Sequence, residues 1–330
     1  MDWVQIIENA LRSFVGLETI IFALAAIGLN VQFGYAGLLN FGQAGFVAIG
    51  AYGLAISVFY LDLSMWVGLA VGILGAVVLA LLLGVPTLRL RADYLAIATL
   101  AAAEIIRVVV RSSTLREWTG GANGITGFDD QFYALNPFPR GTYGFGPFKY
   151  SERVSWILLV GWVVVILCCI VVWLLMRSPW GRVLKGIRED EDAVRSLGKN
   201  VYAYKMQALI IGGVIGAFAG FIYALGRAAV QPDLYGAELT FFAYTVLLLG
   251  GAARVLGPVV GAAIFWLVLS LTDNILAQAI DNGYISSSIM NPNQVGQVRF
   301  MMVGLALMLL MIFRPQGIFG DKREIAINAR

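Results

Sequence analysis

The stretch RSPWGRVLKGIREDEDAVRSLGKNVYAYK, Arg177 to Lys205, is the one densely charged segment that lies between apolar runs long enough to cross a membrane. Arg177, Arg182, Lys185, Arg188, Arg195, Lys199 and Lys205 are interleaved there with Glu189, Asp190, Glu191 and Asp192. The cationic excess assigns the segment to the cytoplasm by the positive-inside rule. Ser178-Pro179 tends to end the preceding helix. Beyond it, Val183, Leu184, Ile187, Val194 and Leu197 recur at spacings near three to four, which predicts a short amphipathic helix under the membrane that stops at Gly198. Two readings follow: a docking surface for a soluble partner, or a solvated loop whose charges only set topology. Charge alone favours the second.

Working outward, the composition defines the class. Of 330 residues 59% are hydrophobic and 13% charged, and the mean hydropathy is +0.81; a soluble globular chain does not have this balance. The predicted fold class is an all-α polytopic membrane protein. The net charge of +3 is small, and no nucleic-acid partner is implied. Cys168 and Cys169 are adjacent in an apolar run and read as small core or lipid-facing residues rather than a disulfide. The chain has no histidine, which removes the HExxH zinc site, the Ser-His-Asp triad and imidazole proton relays. No GxxxxGK[ST] loop is present, so any ATP that drives this protein is bound by another chain. No signal peptide is expected at the N-terminus.

Before the charged stretch, Phe14 to Val31 is a first membrane helix. Gly34 to Tyr60 is apolar enough to insert but is broken by Gly34, Gly37, Gly42, Gly45, Gly50 and Gly53, with Asn40 and Gln43 among them. The glycines suit close helix packing. The amides suit a locally unwound helix that serves a substrate, which makes Asn40 and Gln43 candidates for a translocation pathway. Met65 to Val85 is a helix ending at Pro86, and Leu95 to Val110 crosses back. Glu104 and Arg107 stand three apart on that last helix as a polar pair, either in a substrate route or neutralised near the interface. Residues 112–153 form a long polar loop, expected outside, rich in turn formers and aromatics.

After the charged stretch, Met206 to Leu225 carries a small-residue face. Tyr235 to Leu271 divides around Gly250, Gly251, Arg254, Gly257 and Pro258 into two pieces, the first too short for a comfortable span. Thr240 and Tyr244 on that first piece are further pathway candidates. Thr272 to Arg299 reads as an external polar loop holding Asn291 and Asn293, and Phe300 to Phe313 closes the membrane domain. The expectation is about nine crossings, between eight and ten, in one transmembrane domain over residues 1–330, with the N-terminus outside and the C-terminus inside. The two glycine-broken segments occupy comparable places in the two halves, the pattern of an inverted-repeat transporter.

The chain resembles the membrane permease subunits of bacterial ABC importers for branched-chain amino acids, of the LivM kind. The resemblance covers nearly the whole length. It rests on GYAGLLNFGQAGFVAIGAY, LRLRADYLAIATLAAAEIIR, TGGANGITG, GRVLKGIREDEDAVRSLGKNVYAYK, QPDLYGAELTFFAYTVLLLGGAARVLGPVVGA and FRPQGIFG. It implies a non-catalytic permease in the bacterial plasma membrane that binds no cofactor itself. Its implied partners are a LivH-like permease, two ATP-binding subunits that hold ATP and magnesium, and an external solute-binding protein. Residues 177–205 then become a coupling loop seated in a cleft of the ATPase, with Arg188, Glu189, Asp190, Glu191, Asp192 and Gly198 as coupling residues.

Urea and short-chain amide importers have similar permeases, and no residue here separates them by physical argument. From other classes, an ion-coupled secondary transporter needs membrane-embedded acids, of which Glu104 is the main candidate, and a passive channel gives the charged loop no evident purpose.

Overall fold

The computed structural model describes residues 2–89, 92–282, 295–313 and 316–320. Arg91, Asn291, Asn293 and the basic tail after Gly320 lie outside them. The helices, in chain order, are α1 (Trp3–Phe14), α2 (Leu17–Leu29), α3 (Gln43–Phe59), α4 (Met65–Thr87), α5 (Ala92–Arg111), α6 (Arg116–Thr119), α7 (Asp130–Ala134), α8 (Glu152–Arg177), α9 (Pro179–Glu189), α10 (Glu191–Ser196), α11 (Val201–Arg227), α12 (Ala237–Gly250), α13 (Gly257–Asp281) and α14 (Val295–Phe313). A π-helical turn, Asn30–Tyr35, continues α2. Four two-residue strands make two antiparallel ladders: β1 (Ile125–Thr126) with β4 (Ala229–Val230), and β2 (Thr142–Tyr143) with β3 (Tyr150–Ser151).

The architecture is helical, and its interior is built from α2, α3 and α11, which are buried along most of their length. Small residues let these three approach closely. A Cβ on Gly212 would stand 2.5 Å from the Gly28 carbonyl oxygen, and one on Gly213 would stand 2.5 Å from the Phe46 ring. Contacts of that kind supply the packing that apolar burial cannot supply between helices in lipid. Around this centre, α4 and α8 leave large apolar side chains exposed, among them Leu74, Leu82, Ile166 and Leu174. Outward apolar faces are what a membrane protein presents to lipid.

Among the described residues, five helical runs are long and apolar enough to span a membrane: 3–35, 65–87, 152–177, 201–227 and 257–280. Gln43–Phe59 and Ala237–Gly250 are apolar but shorter. α5 carries Asp93, Glu104, Arg107 and Arg111, and α14 is an apolar helix of 19 residues.

Three boundaries differ from the sequence-based expectations. α4 includes Pro86 and ends at Thr87. The proline sits in the last turn, where Thr87 Oγ1 donates to the Leu83 carbonyl at 2.5 Å and the Leu88 amide donates to Gly84 at 3.1 Å. Helix α13 continues ten residues past Leu271, to Asp281, because its polar end packs beside α1: Asn9 Nδ2 donates to Asn274 Oδ1 at 2.9 Å, and the Asp2 amide donates to Gln278 Oε1 at 2.7 Å. The amphipathic helix expected between Pro179 and Gly198 is two helices. Asp190 is extended (φ −153°, ψ 102°) and its Oδ1 accepts from the Ala193 amide at 2.9 Å, so it ends α9 and caps α10. Leu184 and Ile187 on α9 are buried, whereas Leu197 is 78% exposed.

Candidate translocation and coupling sites

The chain loses its helix between the π-turn and α3, at residues 36–42, inside the molecule. Backbone groups freed there must find partners, because a buried unpaired amide costs about 1–3 kcal/mol. One partner comes from within the segment and others come from neighbouring helices. Asn40 Oδ1 accepts from the Gly42 amide at 2.8 Å, and Asn40 Nδ2 donates to Gln32 Oε1 at 2.7 Å. Gln32 Nε2 reaches the Leu209 carbonyl at 3.1 Å. Gln43 Nε2 donates to the carbonyls of Ala25 and Gly212, each at 3.3 Å.

α12 completes the arrangement. Thr240 Oγ1 accepts from the Ala44 amide at 2.9 Å, capping the start of α3, and the Tyr244 hydroxyl donates to the Asn40 carbonyl at 3.0 Å. Asn40, Gln43, Thr240 and Tyr244, far apart in sequence, thus meet in one network. The first three are 0% exposed and Tyr244 is 7% exposed. Gln32 and Asn30 belong to the same cluster and escaped the sequence reading. Both stand at the end of the first apolar run, and an amide there is the same signal that singled out Asn40.

Asn30 ties the two broken segments together. Its Oδ1 accepts from the Ala253 amide and its Nδ2 donates to the Arg254 carbonyl, both at 2.8 Å. These groups lie in the turn between α12 and α13. The π-turn places the Asn30 side chain for this, and π-helical insertions recur at functional sites.

Two cavities flank the break. The one on the α9 side has a volume of about 940 Å³ and is lined by Leu38, Leu95, Arg188, Glu191, Tyr202 and Lys205 among others. The other, of about 730 Å³, includes Glu104, Arg107, Tyr223, Arg227, Asp233 and Trp266. They sit at opposite ends of the 27-residue α11. Both also border α5, through Leu95 in one and Glu104 in the other, which are about 14 Å apart along the axis at 1.5 Å per residue. Between those levels Thr99, fully buried, accepts the Phe41 amide at 3.0 Å. The Phe41 ring packs on Tyr244 and Phe241, with centroids 4.8 and 5.7 Å apart. These three rings form an aromatic cluster beside the break, with Phe241 at its exposed edge.

Glu104 and Arg107 form the expected pair: Arg107 Nε lies 3.0 Å from both carboxylate oxygens, and Nη2 also contacts Glu104. The pair is part of a larger set that sequence spacing did not reveal, since Asp233 accepts from Arg107 at 3.2 Å and from Arg111 at 3.0 Å. Arg227 and Glu18 make a further pair on the rim of the same cavity.

At the α9 end the charged residues divide by direction. Glu189, Asp190 and Asp192 are exposed. Glu191 is held between Arg195 (2.9 Å) and Lys205, and Arg195 also pairs with Asp192 at 2.8 Å. Gly198 is left-handed, with φ +75°, just past α10. Arg188 points inward, where its Nη1 donates to the Gly34 carbonyl at 2.5 Å. Among the described residues, no group of three or more His, Cys, Asp or Glu side chains could hold a metal ion.

Residues 12–312 match the model of a family described as the permease component of the branched-chain amino acid transport system. Curated relatives agree. The high-affinity branched-chain amino acid transport system permease protein LivM of Salmonella typhimurium is 34% identical, over 92% of this chain and 69% of its own length. The probable branched-chain amino acid transport permease protein LivM of Methanocaldococcus jannaschii is 25% identical, over 92% of this chain and 91% of its own. The LivH permease protein of the Salmonella typhimurium system is also similar, 25% identical over 91% of each chain.

Proposed function

We propose, from the family to which this chain belongs, the permease components of branched-chain amino acid transport systems, that it works as one membrane subunit of an ATP-driven importer. With a LivH-like companion it forms the passage for branched-chain, hydrophobic amino acids handed over by an external solute-binding protein. Two separate ATP-binding subunits hydrolyse ATP with magnesium. The chain crosses the plasma membrane about nine times, between eight and ten, counting its short and interrupted spans, with the N-terminus outside and the C-terminus in the cytoplasm.

The observation that supports this reading is the buried helix break at residues 36–42, with a cavity towards each end of α11, both bordered by α5. Interrupted helices of this kind are where alternating-access transporters place their pathway. The pathway runs past this break. Asn40, Gln43, Thr240 and Tyr244 serve it by fixing the unwound backbone, since their polar groups are already engaged within the chain. The α9 side faces the cytoplasm, and the exposed carboxylates of Glu189, Asp190 and Asp192, together with Gly198, form the surface that meets the ATPase.

The test is reconstitution. Vesicles holding this subunit alone move no branched-chain amino acid, and uptake appears only with the companion permease, the ATPase subunits, ATP and the binding protein. Sustained uptake by this chain alone under a sodium or proton gradient would overturn the reading. Reversing Glu189 and Glu191 to lysine lowers copurification of the ATPase roughly tenfold, as for opposed charges at an interface. The single Glu189→Lys variant isolates the exposed surface from the Glu191 ion pairs, and unchanged assembly in both variants removes the docking role.

A further inference from the structure

We infer that Arg188 is a positioning residue for transport: it does not face the ATPase but carries the displacement of α9 to the break in the first transmembrane segment. The inference rests on the proposed importer reading and assigns a part within it that docking alone would not.

α9 touches the first broken segment at successive turns. Arg188, in its last turn, donates from Nη1 to the Gly34 carbonyl at 2.5 Å. Lys185, one turn earlier, lies over the Tyr35 ring at 5.9 Å from the centroid. The Gly34 carbonyl stands at the end of the π-turn, where helical carbonyls run out of following amides. Its neighbours are taken up locally, Phe33 by the Gly37 amide at 3.1 Å and Gln32 by the Leu38 amide at 2.9 Å, so Arg188 supplies Gly34 with a charged donor. Charge-assisted hydrogen bonds of this kind are roughly twice as strong as neutral ones.

Gly37 makes the seat. It has φ +68°, and a Cβ placed on it would lie 3.2 Å from Arg188 Cγ and 3.5 Å from Arg188 Cα. The backbone of the break thus rests on the stem of Arg188 while the guanidinium holds the turn before it. From there the connections continue. Asn30, in the same π-turn, grips Ala253 and Arg254 in the second broken segment, and Gln32 grips Asn40. A push on α9 therefore reaches both breaks through residues already in hydrogen-bond contact. The neighbours Glu189 and Asp190 are exposed. Adjacent residues on one helix are thereby divided between receiving force and passing it on.

The experiment uses the complete complex in vesicles, with Arg188→Ala and Arg188→Lys. In Arg188→Ala the ATPase copurifies at the parental level and ATP hydrolysis continues, while ATP-dependent uptake falls about tenfold or more, the size of a lost coupling step. Arg188→Lys, which keeps one donor and the charge, recovers part of the uptake. A second readout separates uncoupling from misfolding. In a background with Cys168 and Cys169 replaced, ATP changes the thiol-labelling rate of Leu38→Cys, a residue lining the α9-side cavity, and Arg188→Ala abolishes that change. Normal uptake in Arg188→Ala, a persisting ATP-dependent labelling change, or loss of ATPase copurification each overturns the inference. A parental complex that shows no ATP-driven uptake at all breaks the importer reading instead.

Discussion

Both broken segments interrupt a membrane helix at a glycine-rich site, but they are held open in different ways. The first, residues 36–42, carries an amide of its own, Asn40, which takes the Gly42 amide and bonds to Gln32, beside remote ties from Thr99 and Tyr244. The second, residues 251–256, has the sequence GAARVL and no side-chain amide. Its strained positions, Gly251 at φ +108° and Ala253 at φ +60°, are held by groups from elsewhere. Asn30 takes the Ala253 amide and the Arg254 carbonyl, while the Ile318 and Phe319 amides donate to the Leu249 and Gly250 carbonyls at 2.9 and 3.1 Å. The first break thus has ties of its own as well as remote ones. A borrowed break must follow its donors, so the second break answers to movements of the π-turn and of residues 316–320.

Asn30→Ala tests this contrast most severely. It deprives the buried Ala253 amide of its acceptor and removes the bond to the Arg254 carbonyl; an orphaned buried amide costs about 1–3 kcal/mol, so the loss approaches about 3 kcal/mol. Thermal denaturation of the detergent-solubilised protein measures it, and a cost no greater than that of a single peripheral hydrogen bond would remove the distinction between the two breaks. Ile318→Pro deletes the donor to the Leu249 carbonyl and lowers stability by about 1–2 kcal/mol in the same measurement. If the second break is borrowed, this change far along the chain also increases protease cutting near Arg254. Tyr244→Phe removes one hydrogen bond to a break that keeps its other ties, and the expected loss is about 0.6 kcal/mol, typical of a polar contact between membrane helices. A loss as large as that of Asn30→Ala would show the first break to depend on α12 as much as the second depends on Asn30.

How much of this was legible varies with where the partners lie. Asn40 and Gln43 stood out because an amide within an apolar run needs a reason to be there, and for Asn40 part of that reason is local. Thr240 and Tyr244 stood on the second short helix, but their targets, the Ala44 amide and the Asn40 carbonyl, are roughly two hundred residues away. Glu104 and Arg107 were readable as a pair at helical spacing, while Asp233, which joins them from a distant turn, was not. The division of α9 from α10 was missed because apolar spacing runs on across Asp190. The aspartate's capping bond to Ala193 overrode that periodicity.

The sequence by itself determined a helical membrane protein with two interrupted segments and a charged loop. Hydropathy, glycine content and isolated amides are local quantities that bear directly on the cost of burying a backbone in lipid. Only the tertiary structure decided that Arg188 reaches the Gly34 carbonyl while Glu189 and Asp190 are exposed, that Asn30 joins the two breaks, and that Phe41 packs on Tyr244 of α12. The direction of a side chain on a short amphipathic helix depends on which surface that helix docks against, and docking is set by contacts among residues that no sequence spacing relates.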